Sequence, residues 1–154
     1  MTKVKLLIFS LALPLIVGFI SSYFTVGSIP TWYASLNKPS FNPPNYIFAP
    51  VWTILYILMG ISLYLILSSK KNNKYGLMLF FVQLALNFAW SLVFFGTHHI
   101  VPAFIDIVLL WIAIFMTIKE FLKINKTAGY LLIPYILWVS FATILNLSIV
   151  LLNK

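Results

Sequence analysis

Five long apolar runs, separated by short polar segments, dominate this chain of 154 residues. Crossing roughly 30 Å of hydrocarbon at about 1.5 Å per residue takes roughly 20 helical residues, so each run is long enough to span a bilayer. The predicted spans are Leu6–Val26, Ile47–Leu67, Leu77–Phe95, Val101–Phe121 and Ala128–Leu152. This pattern predicts an all-α membrane protein, a five-transmembrane-helix bundle that forms one domain over residues 1–154.

The composition excludes several other classes of protein. Apolar residues make up 62% of the chain and charged residues only 8%, too few charges to cover the surface of a small soluble fold. Cysteine is absent, which excludes disulfides, thiolate catalysis and cysteine-bound metals. The net charge of +8 comes from lysines between the apolar runs, which favours contact with anionic lipid headgroups over a nucleic-acid partner.

Lysines are distributed unequally between the two sides of the predicted bundle. Eight lie on the side of the N-terminus, and two, Lys38 and Lys154, lie on the other. Because positive residues concentrate in cytoplasmic loops, we expect a cytoplasmic N-terminus, with the first loop and the C-terminus outside. The first apolar run is long and lacks a convincing small-residue cleavage site, which favours a retained helix over a signal peptide.

The segment Gly27–Tyr46 separates the first two spans and contains four of the chain's eight prolines: Pro30, Pro39, Pro43 and Pro44. Proline fixes φ and removes a backbone donor, so this segment cannot be one helix. Its aromatic residues fit either an interfacial belt or an ordered lid over the mouth of the bundle. Its length favours the lid, since a simple connection between neighbouring helices would be shorter.

Asn87, Asp106 and Asn146 are the polar residues that the apolar runs place at membrane depth. Such groups are costly in lipid and usually face the protein interior. Asn87 shares a helix face with Trp90, three residues further on. Both asparagines can join helices through hydrogen bonds or contact a ligand directly. Asp106 can pair with a nearby histidine or stay protonated.

The two histidines, His98 and His99, are adjacent at the end of the third span. Metal ligands on a helix are usually four residues apart, and no cysteine or second acidic residue lies nearby. No metal site is therefore predicted. Haem held by an axial ligand is not expected either, because both histidines lie at an edge of the bundle.

Small and aromatic residues recur along the third and fifth spans. Trp138, Ala142 and Asn146 follow one another at four-residue intervals, so they share one helix face. A large ring beside a small residue leaves room for a flat guest, although scattered tryptophans also serve as interface anchors. Ala85 and Ala89 form a small-xxx-small pair, which permits close helix approach within the bundle or in a dimer.

Three stretches resemble the TspO/MBR family of tryptophan-rich sensory proteins, whose animal members are the mitochondrial translocator proteins, once called peripheral benzodiazepine receptors. The stretches are WYASLNKPSFNPPNYIFAPVWTILYILMGIS at Trp32–Ser62, LALNFAWSLVFFG at Leu84–Gly96 and PYILWVSFATILN at Pro134–Asn146. The resemblance covers nearly the whole chain. It implies a ligand pocket between the helices, capped by the loop between helices 1 and 2.

The resemblance also implies a function, that of a receptor in a bacterial cell membrane. Expected ligands are tetrapyrroles such as protoporphyrin IX, together with isoquinoline-carboxamide and benzodiazepine-type drugs; light-dependent oxidative degradation of the porphyrin and a homodimeric state are implied too. The pocket residues carried over are Tyr33, Trp52, Asn87, Trp90, Trp138 and Ala142, with Phe41, Pro43 and Pro44 shaping the lid. The animal sterol motif is not matched, because no tyrosine follows Asn146.

The chain offers no conventional catalytic set, neither a Ser–His–Asp combination nor paired carboxylates. Degradation of porphyrin would therefore be photochemical, with Trp52 and Trp138 as hypothesised electron donors or adduct-forming residues. Lys38 in the first loop is the expected partner of porphyrin carboxylates. Two other functions stay open: a transporter of porphyrins or other small hydrophobic molecules, and a stress-response partner protein whose ligand tunes its interactions.

Overall fold

The computed structural model describes residues 2–154, and within them every regular element is helical. The elements are α1 (Lys3–Ser28) with a wider π-helical turn at Ile29–Tyr33, α2 (Asn45–Leu67), α3 (Lys74–Ser91) with a π-helical turn at Leu92–Gly96, α4 (Ile100–Ile124), α5 (Lys126–Leu131) and α6 (Ile133–Leu152). Five helical units are long and apolar enough to cross a membrane, with α5 and α6 together forming the fifth. The predicted five-helix membrane bundle is confirmed.

The helices are arranged as a ring. α1 packs against α2 and α3, α3 against α4, and α4 against both α5 and α6. α2 closes the ring through α5 and makes no comparable packing with α6. Because α5 is the short end of the fifth span farther from the first loop, α2 and the fifth span diverge toward that loop, which leaves space between them.

Proline accounts for the break within the fifth span. Pro134 lies in the first turn of α6, where its missing N–H and its ring interrupt the hydrogen-bond ladder coming from α5. The start of α5 is fixed separately, because the Asn125 side chain accepts a hydrogen bond from the Ala128 N–H at 3.1 Å. The last span is therefore two helices in series.

The half of the bundle away from the first loop is a solid apolar core. Met59, Leu63, Phe80 and Phe121 are completely buried there. Close helix approach supports this packing, since a Cβ at Gly60 would lie only 2.8 Å from the Leu11 Cα of α1. The outer surface keeps large exposed apolar side chains, as a surface that faces lipid requires.

The connection between the first two spans is shorter than the predicted Gly27–Tyr46. The helical backbone continues to Tyr33, so this residue lies on the π-helical turn and not in a loop. Pro30 does not end the helix because it stands in the first turn of the π-helical segment, where its fixed φ is compatible with helix. The Thr31 hydroxyl donates to the Gly27 carbonyl at 2.9 Å and satisfies that carbonyl. Residues 34–44 follow this turn and form the connection to α2; the first two of them, Ala34 and Ser35, are still helical.

Candidate functional site

A cavity of about 690 Å³ lies in the half of the bundle nearest the first loop. It extends from Asn45 at the start of α2 down to Tyr56, 11 residues later, a depth of about 16 Å along the helix axis. The volume falls within the range of small-molecule sites. Every residue that lines it in the described chain is uncharged, and the aromatic ones are Phe19, Tyr33, Phe48, Trp52, Tyr56, Trp90, Phe94, Phe95 and Trp138.

Five of the residues predicted to form a pocket line this cavity together: Tyr33, Trp52, Trp90, Trp138 and Ala142. They come from four different helical units, so only the packing of the bundle brings them to one place. The Trp52 ring stacks on Tyr56 of the same helix with centroids 5.7 Å apart. The Trp138 ring meets Phe48 of α2 edge to face at 6.2 Å. These contacts hold the two indoles as walls of the cavity.

Asn87 lies behind the cavity wall. Its side chain is 3% exposed and bridges two tyrosines: the Tyr56 hydroxyl donates to Asn87 Oδ1 at 2.6 Å, and Asn87 Nδ2 donates to the Tyr135 oxygen at 3.0 Å. The Tyr135 hydroxyl in turn donates to Gln83 Oε1 at 2.8 Å. Asn87 therefore joins α2, α3 and α6 and positions Tyr56, and it does not itself line the cavity.

The residues predicted to shape the lid lie in or beside the 34–44 connection, outside the cavity lining. Phe41 packs edge to face on Phe141 at 6.2 Å and remains half exposed. Pro43 accepts a hydrogen bond from Asn42 through its carbonyl, and Pro44 immediately precedes α2. These three residues do not touch the cavity directly; they affect it only by setting the path of the connection.

Lys38 was expected to pair with porphyrin carboxylates, which would require its side chain to extend toward the cavity. In the structure it does not. Its Nζ donates to the backbone carbonyls of Tyr33 at 2.7 Å and Leu36 at 3.0 Å. The same ammonium lies 4.9 Å from the centre of the Tyr33 ring. Carbonyls at a helix C-terminus carry partial negative charge. They therefore bind the Lys38 ammonium, which is then not free to pair with a ligand.

The 34–44 connection is tied to the end of the chain by paired hydrogen bonds. The Asn37 N–H donates to Asn153 Oδ1 at 2.9 Å, and Asn153 Nδ2 donates to the Asn37 carbonyl at 2.8 Å. On the other side, the Tyr33 hydroxyl donates to Asn42 Oδ1 at 2.7 Å. The connection is therefore anchored to both α1 and α6 at the mouth of the cavity.

Sequence reasoning missed the contribution of α1 to this site. Gly18, Ser21, Ser22 and Thr25 all line the cavity. Their spacing of three and four residues places them on one helix face, and this signal was readable in the sequence. Tyr56 was missed as well. It is a single tyrosine in a long apolar run, and the residues around it do not show whether its side chain faces the protein interior or the lipid.

The two histidines and Asp106 do not pair. The His98 ring stacks on Trp32 with centroids 4.3 Å apart, and His99 Nδ1 lies 2.8 Å from the Thr97 hydroxyl. One carboxylate oxygen of Asp106 is buried without a hydrogen-bond partner in residues 2–154. These groups lie outside the cavity lining and contribute no charge to it.

The sequence profile of the TspO/MBR family matches residues 10–152 of this chain. The chain is 47% identical over 146 residues to the tryptophan-rich protein TspO of Chlorobaculum tepidum, covering 93% of this chain and 92% of that one. It is 44% identical over 148 residues to the protein of the same name from Archaeoglobus fulgidus, covering 96% of each. The translocator protein of Bos taurus is 38% identical over 138 residues, covering 87% of this chain and 82% of that one. The profile and these relatives span the helices that build the cavity, and the chain therefore belongs to the TspO/MBR family.

Proposed function

We propose that this protein is a membrane receptor or sensor that binds tetrapyrroles, protoporphyrin IX foremost, within the cavity beneath the first connection. One observation carries the proposal: three indoles, those of Trp52, Trp90 and Trp138, face a single uncharged cavity of about 690 Å³. Aromatic pairs add about 0.5–1.5 kcal/mol each beyond the burial of apolar area. A flat aromatic guest gains most from such walls, which also suits isoquinoline-carboxamide and benzodiazepine-type ligands.

Because the cavity lining is uncharged, it favours one orientation of a bound porphyrin. Ionised carboxylates inside an uncharged, water-poor space would be strongly disfavoured. The macrocycle would therefore enter with its propionates toward the mouth, where the 34–44 connection and water can solvate them. The Lys38 ammonium is engaged by backbone carbonyls and is not free to pair with them.

A spectral titration of the detergent-solubilised protein with protoporphyrin IX in the dark tests this binding. Ala142→Trp adds a ring inside the cavity and should weaken binding by about tenfold or more, since filling the space removes the guest's contacts. The control is Ile112→Trp, because the Ile112 side chain lies on the lipid-facing side of α4 and is 45% exposed. Equal affinities for both variants and the parent protein would place the porphyrin elsewhere.

We further propose that bound protoporphyrin IX is degraded oxidatively under light. Trp52 or Trp138 transfers an electron to the excited porphyrin, and dioxygen adds to the resulting porphyrin radical anion. An electron then returns to the indole radical cation and both oxygen atoms stay in the cleaved macrocycle, so dioxygen is the only oxidant consumed. In the alternative, the indole and macrocycle radicals couple to form an adduct, and the indole loses a proton. Both indoles line the same cavity, and cysteine is absent from the chain. No metal or resident cofactor is required by this chemistry.

Illumination of the purified complex tests the photochemical step separately from binding. The double variant Trp52→Phe, Trp138→Phe should still bind porphyrin in the dark but lose the light-dependent fall in its absorbance. Trp111→Phe is the control, because Trp111 stacks on Phe115 and donates to Ser140 away from the cavity. Unchanged bleaching in the double variant would remove the tryptophans from the reaction.

The packing of the bundle on the side away from the first loop favours a receptor function over transport. Below Tyr56 the interior is filled by fully buried side chains such as Met59, Leu63 and Phe80. A continuous path would need these helices to separate. Flux of porphyrin into proteoliposomes, compared with binding at equilibrium, distinguishes the two functions, and we expect binding without flux.

We also propose that the protein is a homodimer in the membrane. Ala85, the first of the small-xxx-small pair, faces outward on α3, next to the exposed side chains of Phe81 and Val82. A small residue on an exposed helix face lets a second helix approach closely. Ala85→Trp should convert the detergent-solubilised protein to a monomer in light-scattering measurements, whereas Ile112→Trp should not.

A further inference from the structure

The cavity is open on one side of the bundle. Its exposed lining residues all come from α1 and α2: Phe19, Ser22 and Val26 from α1, and Asn45, Ala49 and Thr53 from α2. The lining residues of α3 with its π-helical turn, and those of α6, are buried or half-buried. Phe19 is 79% exposed and Val26 is 69% exposed. Because both helices are membrane spans, an opening between them faces hydrocarbon and not water.

We call this opening the α1–α2 seam, the gap between residues 19–26 of α1 and residues 45–53 of α2. On each side the exposed lining residues are three or four positions apart, so they form one edge of their helix. Deeper in the bundle the gap closes, since a Cβ at Gly18 would overlap the ring of Tyr56. The seam therefore opens the half of the bundle nearest the first connection and ends where the apolar core begins.

Small side chains lie at the centre of the seam. α1 and α2 run antiparallel, so one turn beyond their close contact Ser22 lies at the depth of Ala49 and Thr53. The Ser22 hydroxyl donates to the Phe19 carbonyl at 2.6 Å. The Thr53 hydroxyl donates to the Ala49 carbonyl at 2.8 Å. Hydroxyls that bond to their own helix in this way need no other partner, so the centre of the seam offers little steric or polar resistance to a flat apolar guest.

The other entrance to the cavity, beneath the 34–44 connection, is closed by hydrogen bonds. Asn37 and Asn153 pair through two bonds of 2.9 and 2.8 Å. The Tyr33 hydroxyl donates to Asn42 Oδ1 at 2.7 Å. A guest that passed here would break these bonds, whereas passage through the seam breaks none of them. We propose that a neutral, lipid-soluble guest enters and leaves the cavity sideways through the α1–α2 seam, directly from the hydrocarbon of the bilayer.

This inference rests on the proposed function, because the guest occupies the same cavity, but it concerns the route and not the site. Protoporphyrin IX is a different case. Its ionised propionates would stay at the membrane surface under the connection, so the connection retains the diacid. The probe for the seam is therefore neutral: a radiolabelled N,N-dialkyl isoquinoline-carboxamide, bound to the protein in nanodiscs of dioleoyl phosphatidylcholine.

Ser22→Trp and Ala49→Trp each place an indole in the seam, from opposite edges. Release of the bound carboxamide, followed after addition of excess unlabelled compound, should slow by about tenfold or more in each variant, because the added ring obstructs the exit. The direction of the change is diagnostic, since a ring that only removed contacts from the guest would speed its release. Ile20→Trp is the matched control, because Ile20 lies on α1, is 47% exposed and is outside the cavity lining.

Asn153→Ala distinguishes the two routes, because it loosens the connection and leaves the seam unchanged. Slower release in both seam variants, with parent-like release in Ile20→Trp and Asn153→Ala, supports the assignment. Unchanged or faster release in both seam variants overturns it, as does faster release of the carboxamide in Asn153→Ala. Thermal unfolding in detergent verifies that each variant is folded, and either seam variant carries the test if the other does not fold. Failure of the parent protein to bind the carboxamide would instead refute the proposed ligand class.

Discussion

The indole N–H of Trp90 donates to the side-chain oxygen of Asn146 at 3.0 Å, which joins α3 to α6 at the wall of the cavity. The Asn146 amide nitrogen extends the link to the Ile100 carbonyl at the start of α4, at 3.4 Å. Both Trp90 and Asn146 line the cavity. One asparagine thus fixes the orientation of an indole wall and ties three helices together.

Replacing this asparagine should cost stability. In Asn146→Ala the Trp90 N–H loses its partner, and interhelical hydrogen bonds of this kind contribute about 0.6–2 kcal/mol in membranes. We expect a lower unfolding temperature in detergent and a weaker affinity for protoporphyrin IX. Ser148→Ala is the control, because the exposed Ser148 hydroxyl bonds only to its own helix. A parent-like unfolding temperature for Asn146→Ala would mean that the indole is held by packing alone.

Two glycines of α1 should respond differently to the same substitution. A Cβ at Gly18 would overlap the ring of Tyr56, so Gly18→Ala must displace the tyrosine ring and disturb its bond to Asn87. A Cβ at Gly27 meets nothing within 4 Å. We expect Gly18→Ala to lower both thermal stability and porphyrin affinity, and Gly27→Ala to be neutral or stabilising, since alanine favours helix by about 1 kcal/mol. Equivalent behaviour of the two variants would contradict the close approach of α1 to Tyr56.

The paired bonds between Asn37 and Asn153 predict a role for the chain end in guest release. Asn153→Ala removes both bonds, which should loosen the 34–44 connection and speed dissociation of protoporphyrin IX by about twofold to tenfold. Hydrogen exchange of the Asn37 amide should rise in parallel. Asn72→Ala, in the connection between α2 and α3, should change neither rate. A dissociation rate insensitive to Asn153 would show that the connection does not limit release.

Lys38 is expected to act on the connection and not on the carboxylates of a guest. Lys38→Ala removes the donor to the Tyr33 and Leu36 carbonyls. It should therefore reduce the affinity for protoporphyrin IX and for its dimethyl ester by the same factor. Titration of both compounds measures this. A loss confined to the diacid would restore Lys38 as the carboxylate partner that its position in the sequence suggested.

Membrane orientation is testable because the chain contains no cysteine. The lysine distribution predicts that a cysteine at Ser35, in the first connection, reacts with a membrane-impermeant maleimide in intact cells. A cysteine at Asn72 should react only after permeabilisation. The reverse pattern would invert the predicted topology.

Much of the fold was predictable because the bilayer imposes simple requirements on a sequence. The run Val101–Phe121 has to be a helix, since an apolar segment in lipid must satisfy its own backbone hydrogen bonds. The prediction was wrong about the extent of the first helix, which continues past Pro30 to Tyr33, and about the fifth span, which is two helices. A proline reads locally as a breaker, but in the first turn of a π-helical segment its fixed φ is tolerated.

The site was less predictable than the spans. Trp52, Trp90 and Trp138 could be proposed as walls because they matched a family pattern, and all three line the cavity. Asn87 matched the same pattern and yet faces two tyrosine hydroxyls behind the wall. Helical spacing shows which residues share a face, but it does not show which neighbouring helix that face meets.

The length and polarity of the apolar runs were enough to predict that five helices cross a membrane and that an aromatic, proline-rich connection follows the first, because these two properties decide which segments lipid accepts. Tertiary packing was needed to place α2 against α5 and away from α6, and to turn Lys38 toward backbone carbonyls. The reason is that each of these features depends on contacts between residues far apart in the chain. Hydropathy depends only on neighbouring residues in the sequence, so it cannot predict these contacts.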